Sequence, residues 1–382
     1  MVVDIGGAEN YLLTLLPALR QEGIDIHFLC IYHPAHRSGA DKMILPLQAA
    51  GIRIHLCPYK LIASPFIPLF LWRLINREKY DLVCTNLIYA EVWAAIAHLL
   101  PGHRFKLIGI RHGYRDEYVL QHGMQDQPSP PDAYLLLSRL AACRIDANIC
   151  VSESLKKLLL AKKIIRENNS RVIYLALPEN KLPQPSKSAL PIIPHPFILF
   201  MGRLEPIKGI DRLLRAFAAL PALDEKIHLI IAGTGSEEEN LRKIAAETGQ
   251  SHRIHFFGYQ PDTERFYSQA LFTVAPSKGE SFGLVIIEAF CQEKPVIAFD
   301  VPALNEIILN EYNGVLVPAY DETALSEAMH RLITDASYRN RLGQQAGMYV
   351  RQKFELKKMI SKTLACFEEV LYTKKQSRSA KD

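Results

Sequence analysis

Two glutamates with seven residues between them, Glu280 and Glu288, carry the most specific chemistry in the chain. The pattern predicts a strand that ends at Ala275, then a loop, then an apolar helix from about Gly283. Amides at such a helix start have no intrahelical acceptor, so those of Ser281–Leu284 could bind phosphate. A carboxylate beside an anion site suits a hydroxyl-rich ligand. The open alternative is a helix-capping acid and a buried, salt-bridged glutamate.

Two cations, Arg203 and Lys208, lie in one loop between the predicted strand Phe197–Met201 and the predicted helix Asp211–Leu220. A diphosphate leaving group gains negative charge as its bond to a sugar breaks, and fixed cations stabilise that charge without a metal. Because the chain contains no Asp-x-Asp motif, we expect no metal and no other cofactor. A chance pair of loop cations is the alternative.

A third candidate is His112, which follows the predicted strand Lys106–Ile110. A single histidine in a loop is more often structural than catalytic. Arg111 and Arg115 flank it and could hold a phosphate of an acceptor, although ordinary surface salt bridges would look the same.

Alternating strands and helices must position these residues. The alternation predicts an α/β protein with doubly wound parallel sheets, whose ligands bind at the carboxyl ends of strands. This rule draws attention to Asn86, His112 and Ser152. The predicted strands are Asp25–Ile31, Ile52–Cys57, Asp81–Thr85, Lys106–Ile110, Asn148–Val151, Phe197–Met201, His228–Ala232, Ile254–Phe257, Leu271–Ala275, Pro295–Phe299 and Val315–Val317.

The prolines between Pro178 and Pro196 exclude regular structure and indicate an interdomain linker. We therefore predict an N-terminal domain over residues 1–177 and a C-terminal domain over residues 197–355. A last helix (356–373) and a disordered tail (374–382) would follow. The polar loop Gln121–Pro131 is either a lid or a simple connection.

The composition describes a globular protein of 382 residues, with 49% hydrophobic and 22% charged residues. Residues 1–190 carry 22 Lys and Arg against 16 Asp and Glu, whereas the rest carries 23 against 24. A basic N-terminal half favours an anionic partner, either a phosphorylated acceptor or acidic lipid headgroups rather than nucleic acid. An ordinary solvated surface is the alternative.

Cysteine and apolar patterns favour a cytoplasmic protein. The seven cysteines show no Cys-x-x-Cys spacing, and Cys30, Cys84 and Cys150 lie in apolar runs, as buried thiols of a reducing compartment do. The apolar run Leu61–Trp72 has 12 residues and two prolines, which is too short for a bilayer span of ~20 residues. Peripheral contact with the inner face of a membrane stays open.

Several motifs in the chain resemble those of one family, the retaining glycosyltransferases of family GT4. The spacing of Glu280 and Glu288 is similar to the E-x7-E signature of that family. The other matching blocks, in family order, are Gly6-Gly7-Ala8-Glu9, Gly202-Arg203 with Lys208-Gly209, Ala232-Gly233-Thr234-Gly235, Phe257-Gly258-Tyr259 and Tyr312-Asn313-Gly314.

The resemblance implies the GT-B fold, in which two Rossmann-like domains face each other across a cleft and the last helix returns to the first domain. It implies catalytic roles for His112, which orients the reaction centre, and for Glu280, which holds the transferred sugar. It places the loop of Gly6 and Gly7 near the acceptor and the donor phosphate, although a plain strand-to-helix turn would look the same. The implied donor-binding residues are Arg203, Lys208, Gly235, Tyr259, Ser281, Phe282, Gly283, Leu284 and Glu288.

The chain departs from the family pattern at two places. A full strand precedes the glycine loop in the family, and we expect most of it to be missing here, through a late start codon or a shortened chain, at a cost in stability. The turn Gly233–Gly235 lacks the third glycine of a dinucleotide fingerprint. Ser236 and Glu239 instead predict a capping box for the next helix.

We predict a hexosyltransferase-type enzyme that moves a sugar, with retention, from a nucleotide diphosphate sugar to a glycan or lipid-linked acceptor in cell-envelope or exopolysaccharide synthesis. A nicotinamide-dependent dehydrogenase is disfavoured by the broken glycine fingerprint. A non-catalytic sugar-nucleotide-binding or scaffolding protein stays open, and donor hydrolysis that disappears in Glu288→Ala and Lys208→Ala would reject it.

Overall fold

The computed structural model describes residues 6–60, 65–114, 133–177, 196–221 and 226–379. Residues 1–5, the loop Gln121–Pro131 and the linker up to residue 195 lie outside this part of the chain. The chain divides into two compact units. The first unit comprises Met1–His112, Asp126–Ala176 and Leu356–Asp382, and the second comprises Gly113–Gln125 and Leu177–Glu355.

The strands are β1 (His27–Tyr32), β2 (Arg53–Pro58), β3 (Leu82–Thr85), β4 (Lys106–Arg111), β5 (Ala147–Cys150), β6 (Ser170–Val172), β7 (Phe197–Met201), β8 (His228–Ala232), β9 (Ile254–Gly258), β10 (Thr273–Ala275), β11 (Val296–Phe299) and β12 (Gly314–Val317).

The α-helices are α1 (Gly7–Gln21), α2 (Arg37–Ala49), α3 (Phe66–Glu78), α4 (Ile88–Leu99), α5 (Ala133–Ala142), α6 (Glu153–Ala161), α7 (Ile210–Ala218), α8 (Glu238–Glu247), α9 (Thr263–Gln269), α10 (Leu284–Cys291), α11 (Leu304–Ile307), α12 (Glu322–Thr334), α13 (Ala336–Lys353) and α14 (Leu356–Ser379).

The first unit has parallel strand pairs throughout its described sheets. β1 pairs with β2, and a second sheet has the order β3-β4-β5-β6. The run KLIGIR of β4 buries Leu107, Ile108 and Ile110, because helices cover both faces of a parallel sheet. Cys30 and Cys150 are buried as predicted, whereas Cys84 is exposed on β3, which is the first strand in the order of the described sheet.

The C-terminal helix α14 belongs to the first unit and packs against α1. Arg171 of β6 forms an ion pair with Glu369 of α14. The helix continues to Ser379, so the prediction of a disordered tail from Lys374 is wrong up to that residue. Lys, Gln and Arg are good helix formers, and each residue added to an existing helix gains one hydrogen bond at little cost.

The second unit contains a single described sheet with the order β12-β11-β10-β7-β8-β9, and all its pairs are parallel. The chain builds the sheet from β7 outward through β8 and β9, then returns to the other side of β7 with β10. The order therefore reverses between β7 and β10. A doubly wound sheet of this kind binds ligands outside the carboxyl ends of the strands at that switch point.

Two local predictions differ from the structure. Helix α1 begins at Gly7 and not at Asn10, so the glycine pair opens the helix, with Gly6 as its N-cap. The capping box of Ser236 and Glu239 is wrong, because the Ser236 hydroxyl donates at 2.7 Å to Glu205. The helix instead has Glu237 as its N-cap, so Ser236 lies one residue too early to cap it.

In the part of the chain that the structure describes, no helix combines the length and the apolar character that crossing a bilayer requires.

Candidate functional site

The loops that follow β7 and β10 are in direct backbone contact at the carboxyl edge of the sheet of the second unit. The Lys278 amide donates to the Ile207 carbonyl at 2.8 Å. Gly209 has a φ of +64°, and a Cβ at this position would lie 2.1 Å from the carbonyl oxygen of Pro276. Only glycine tolerates both the conformation and the approach. The backbone therefore joins the two loops that carry the predicted cations and the predicted acid.

Lys208 and Glu280, one from each loop, form an ion pair between Nζ and Oε1. The Ser277 hydroxyl donates to the same oxygen at 2.9 Å. The side chains of the pair are only 16% and 13% exposed. Because a carboxylate can accept several hydrogen bonds, Oε2 keeps the capacity to accept from a ligand hydroxyl. A cation and an anion thus lie side by side at the switch point.

The turn after β8 supports the loop that carries Arg203. Gly233 has a φ of +144°, and a Cβ there would lie 1.8 Å from the Gly202 carbonyl oxygen. The Leu204 amide donates to the Thr234 carbonyl at 2.9 Å. Arg203 itself is exposed at the same edge of the sheet as Lys208.

Gly235 and Tyr259 also lie at this edge. A Cβ on Gly235 would lie 2.3 Å from the carbonyl oxygen of Leu204, so the turn packs directly on the backbone beside Arg203. Tyr259 follows β9 and is 51% exposed. The Gly233 amide donates to the Gly258 carbonyl at 2.7 Å and links the two turns. Both predicted donor-binding residues therefore line the carboxyl edge of the sheet.

Glu288 lies on α10, and its Oε2 accepts a hydrogen bond from the Tyr267 hydroxyl at 3.1 Å. Tyr267 on α9 is fully buried. Burial, together with the Glu288 charge, raises the pKa of Tyr267 well above its usual value, so the phenol stays a donor. The sequence pattern does not single out Tyr267. The only available signal was that a buried tyrosine hydroxyl needs a partner.

The start of α10 holds the remaining predicted donor-binding residues. Gly283 is the N-cap and Leu284 the first helical residue, so the amides of Leu284 and Val285 have no intrahelical acceptor, whereas the Ile286 amide donates to the Gly283 carbonyl at 3.0 Å. The ring of Phe282 is buried and packs edge-on against Phe354, with ring centroids 5.8 Å apart. Only the backbone of Phe282 is therefore suited to the predicted contact, whereas its neighbour Ser281 is half-buried.

In the first unit, His112 and Asn86 follow the neighbouring strands β4 and β3. The two strands pair in parallel, so the residues that follow them meet at one edge. His112 Nε2 lies 3.2 Å from Asn86 Oδ1. The buried ring of Tyr11, from α1, approaches the imidazole edge-on at a centroid distance of 4.9 Å. His112 is thus oriented by two neighbours that the sequence analysis did not assign to it.

Burial lowers the pKa of His112 to about 4, so the imidazole is neutral at pH 7. Because the Asn86 side-chain oxygen accepts from Nε2, the neutral ring carries its hydrogen on Nε2. Nδ1 then remains as a hydrogen-bond acceptor for a ligand. A neutral imidazole in a fixed tautomer suits a hydrogen-bonding role and not that of a charged acid.

The structure contradicts the prediction that Arg111 is a surface cation. Its side chain is 7% exposed, its Nη1 forms an ion pair with Glu91, and its Nε donates to Asn148 Oδ1 at 3.0 Å. Burial raises the pKa of Glu91, and Arg111 opposes that rise. Leaving either charge unpaired in the interior would be strongly destabilising. Arg111 therefore compensates Glu91 and is not a surface cation that can hold an acceptor phosphate.

The other residues proposed for the acceptor side are described only in part. The Gly6 amide donates to Glu9 Oε2 at 3.0 Å, and Gly7 is the exposed first residue of α1. Their contact with an acceptor stays a prediction. Arg115 lies outside the described residues. Ser152, also at a strand end, caps α6 by accepting from the Leu155 amide at 3.1 Å, which is a structural role.

No three His, Cys, Asp or Glu side chains come close enough to share a metal ion within the described residues.

Two family models match the chain in succession. The model "Glycosyltransferase Family 4" matches residues 5–180, and the model "Glycosyl transferases group 1" matches residues 188–347.

Curated relatives share this family. The lipopolysaccharide core biosynthesis glycosyltransferase LpsE of Rhizobium meliloti is 32% identical over 345 residues, which are 89% of this chain and 89% of that protein. The D-inositol 3-phosphate glycosyltransferase of Salinispora tropica is 36% identical over 165 residues. That match covers 40% of this chain and only 34% of the length of the Salinispora protein.

Among solved structures, Anabaena Alr3699/HepE in complex with UDP-glucose superimposes with a TM-score of 0.78. The match covers 96% of this chain and 97% of that one, at 20% identity, so the likeness is one of fold. The chain therefore belongs to the glycosyltransferases of family GT4, a family of hexosyltransferase-class enzymes with the two-domain α/β GT-B fold.

Proposed function

We propose that the protein transfers a hexose-type sugar, with retention, from a nucleotide diphosphate sugar to a glycan or lipid-linked acceptor. The observation that carries the proposal is the cluster of Lys208, Glu280 and Ser277 at the switch point of the second sheet. A partly buried cation beside a partly buried carboxylate suits a ligand with a charged diphosphate at one end and sugar hydroxyls at the other.

The donor's diphosphate would bind Lys208 and Arg203, with help from the first-turn amides of α10. As it binds, it replaces Glu280 as the partner of Lys208. The hydroxyls of the transferred sugar then become the partners of Glu280. Each group exchanges one partner for another, so neither is left without a hydrogen-bonding partner at a site of low exposure.

Glu288 would accept from the ribose diol. The hydrogen bond from Tyr267 fixes the rotamer of this carboxylate and occupies one side of Oε2. A carboxylate held in this way loses less side-chain entropy when the ribose binds.

In the transfer step, the acceptor hydroxyl oxygen forms a bond to the anomeric carbon on the face from which the leaving group departs. The bond between that carbon and the diphosphate oxygen breaks, and the hydroxyl proton passes to the leaving oxygen. No external base is needed. The neutral His112 would accept a hydrogen bond from a hydroxyl of the reacting sugar through Nδ1 and so orient the sugar.

For the acceptor, the LpsE relative favours an envelope glycan or its lipid-linked precursor. The basic N-terminal half, with 22 Lys and Arg against 16 Asp and Glu in residues 1–190, suits an anionic acceptor or an anionic membrane surface. We propose that the protein works on the inner face of a membrane, as a peripheral protein and without nucleic acid.

The direct test is nucleotide release by the purified full chain from UDP-, GDP- and ADP-sugars, with UDP-glucose first because the HepE structure contains it. Lys208→Ala and Glu288→Ala should lower release about a hundredfold or more. The matched control is Lys243→Ala on α8, since Lys243 is exposed and pairs with Glu239. Release that is absent with every donor, or unchanged in both site variants, would reject the proposal.

A further inference from the structure

Three side chains of the first unit each bring one nitrogen or oxygen atom to a common point. His27 Nδ1 lies 3.1 Å from His55 Nε2 and 2.5 Å from the hydroxyl oxygen of Tyr80. The Tyr80 oxygen lies 3.2 Å from the same nitrogen of His55. The three atoms therefore form a closed triangle, and we call the three residues the His-Tyr triad.

Two strands and one turn position the His-Tyr triad. His27 is the first residue of β1 and lies opposite Arg53 in the parallel pair, so His55 follows two positions later on the same face of β2. Tyr80 precedes β3, after the turn in which Lys79 ends α3 with a φ of +60°. The side chain of His27 is 7% exposed, and the other two residues are half-buried.

Hydrogen bonds alone do not satisfy this triangle. A nitrogen of a neutral imidazole carries either a hydrogen or a lone pair, and the phenol carries one hydrogen. At most two of the three contacts can therefore have a hydrogen of their own, and the third contact is left without one. A metal ion removes this deficit, because it accepts a lone pair from each of the three atoms at once.

The chemistry of the donor atoms selects the kind of ion. Imidazole nitrogen is a ligand of Zn²⁺, Cu²⁺ and Ni²⁺, whereas Mg²⁺ and Ca²⁺ prefer oxygen. In a tetrahedral zinc site with bonds of ~2.0–2.1 Å, neighbouring ligand atoms lie roughly 3.3 Å apart. Both contacts of His55 are already close to this value. The contact between His27 and Tyr80 has to open by about 0.8 Å, through a rotation of the phenol side chain.

The surroundings of His27 favour the tautomer that metal binding needs. When Nδ1 bears the lone pair, the ring hydrogen is on Nε2, and the Asp25 carboxylate lies 3.9 Å from that nitrogen. A carboxylate at the outer nitrogen is a usual neighbour of a metal-bound histidine. Glu78, a second acid nearby, is engaged with two arginines. Asp25 and a Tyr80 phenolate would thus balance the charge of the ion.

We propose that the His-Tyr triad binds a divalent transition-metal ion, with Zn²⁺ as the first candidate. The ion forms bonds to His27 Nδ1, His55 Nε2 and Tyr80 Oη, the phenol gives its proton to water, and a water molecule takes the fourth position. β1 and β2 form one described sheet and β3 begins another, so the ion ties the two sheets together.

The position of the His-Tyr triad makes the ion structural. His27 begins β1 and Tyr80 precedes β3, so the triad lies near the amino ends of these strands. His112 and Asn86 follow the carboxyl ends of β4 and β3, which are the opposite ends of the parallel strands. The ion therefore takes no part in the transfer step, and the proposal does not depend on which sugar is transferred.

The test is zinc binding by the full chain after treatment with EDTA and exchange into buffer without chelator. Equilibrium dialysis should find one tightly bound zinc ion per chain, and zinc should raise the thermal midpoint roughly 5 °C. Cobalt(II) should give the visible absorption of a tetrahedral site. His55→Gln should lower the affinity for zinc about a hundredfold. Tyr80→Phe, which keeps the ring, should lower it about tenfold or more.

The matched control is His228→Gln with His255→Gln, which removes the histidine pair of the second unit, whose nitrogens lie 3.0 Å apart. It should bind zinc like the wild type, and all variants should keep the wild-type circular dichroism without metal. If one triad variant does not fold, the other decides. The proposal is overturned if the wild type binds neither zinc nor cobalt. It is also overturned if the triad variants bind zinc like the wild type, or if the control loses zinc as they do.

Nucleotide release separates the metal site from the proposed function. Release should be equal with and without zinc, because the triad lies in the first unit and the proposed donor-binding residues lie in the second. If release is absent in every sample while zinc binds as expected, the proposed function fails and the metal site stands.

Discussion

At the residue scale, each of the two glutamates is held through one oxygen by neighbouring side chains. Ser277 and Lys208 hold Oε1 of Glu280, and Tyr267 holds Oε2 of Glu288. Ser277 and Tyr267 do not need to touch the donor, because they would act by fixing the carboxylates that bind it, whereas Lys208 is proposed to bind the diphosphate itself. We expect Ser277 and Tyr267 to be positioning residues, whose removal should affect binding of the donor more than the chemical step.

Tyr267→Phe tests this arrangement. The phenylalanine keeps the buried ring but leaves Glu288 without its hydrogen bond, so KM for the donor should rise roughly tenfold while kcat changes little. Steady-state kinetics of nucleotide release measures both. Tyr312→Phe is the control, since Tyr312 is 41% exposed in the same unit. A fall in kcat with unchanged KM would contradict a role limited to positioning.

The protonation of His112 gives a second prediction at this scale. Its pKa of about 4 lies below the value near 6.5 of an unfolded histidine, so between those values the unfolded state binds more protons. His112 therefore lowers the free energy of unfolding as the pH falls from 6.5 toward 4. Above pH 6.5 it has no effect on that free energy. Asn86→Asp would set a carboxylate beside the ring and raise the pKa of His112.

Proton NMR of the imidazole resonances measures this shift. In the wild type, one histidine should stay neutral down to about pH 4, and in Asn86→Asp that resonance should titrate well above this value. Asn305→Asp is the control, because Asn305 contacts Asp300 in the second unit. An identical titration curve in wild type and Asn86→Asp would refute the contact between His112 and residue 86.

At the element scale, the junction between the loops after β7 and β10 depends on a glycine. Gly209→Ala forces a side chain against the Pro276 carbonyl and adds the cost of a positive φ, so the second unit should lose more than ~3 kcal/mol of unfolding free energy. Gly249→Ala is a matched control, since Gly249 has a φ of +71° and open space around it.

Urea denaturation compares the two variants. Gly249→Ala should lower the free energy of unfolding by only about 1–2 kcal/mol, which is the effect of the left-handed conformation alone. Gly209→Ala should also lose nucleotide release, because Lys208 moves away from Glu280. Equal losses of stability in the two variants would show that the approach of the two loops is not tight.

Neighbouring strands in both units carry a pair of histidines in the same relative register. His27 on β1 lies 3.1 Å from His55 on β2, and His228 on β8 lies 3.0 Å from His255 on β9. Burial lowers the pKa of His55, and the charge of the nearby His27 lowers it further. Burial also lowers the pKa of His255. Two adjacent rings cannot both take a proton without repulsion.

These pairs should make both units less stable as the pH falls below about 6.5, because the unfolded chains then bind more protons than the folded ones. The urea midpoint at pH 5.5 should be lower than at pH 7.5. Replacing His55 and His255 with Gln should reduce that difference, whereas replacing the exposed His252 should not. A midpoint difference that persists in the double variant would assign the effect to other groups.

The sequence predicted elements well where turn residues bound an apolar run. β7 and β8 begin and end as predicted, since Pro196 and Gly202 enclose one and Gly233 ends the other. It predicted poorly where the partner of a side chain lies far along the chain. Arg111 pairs with Glu91, and Tyr267 with Glu288, across about 20 residues in each case. Spacing alone does not reveal which face of an element such a side chain occupies.

At the scale of the whole molecule, donor binding should stabilise the folded protein by mass action. The nucleoside diphosphate of the active donor, at about 100 times its Kd, should add ~2.7 kcal/mol and raise Tm of the second unit roughly 5–10 °C. Lys208→Ala should abolish the shift. Because the proposed site uses cations of the chain, a chelator should leave both the shift and nucleotide release unchanged. Loss of either on adding EDTA would indicate a required metal.

Before any ligand arrives, Lys208 and Glu280 neutralise each other at a place where water reaches little of either side chain. A small anion such as inorganic phosphate can occupy the lysine only by placing a second negative charge beside the glutamate, to which it offers fewer hydroxyl donors than a sugar does. A sugar nucleotide satisfies both groups at once. We therefore expect the pair to act as a filter that excludes the abundant phosphate of the cell and admits only molecules that carry a sugar behind their charge.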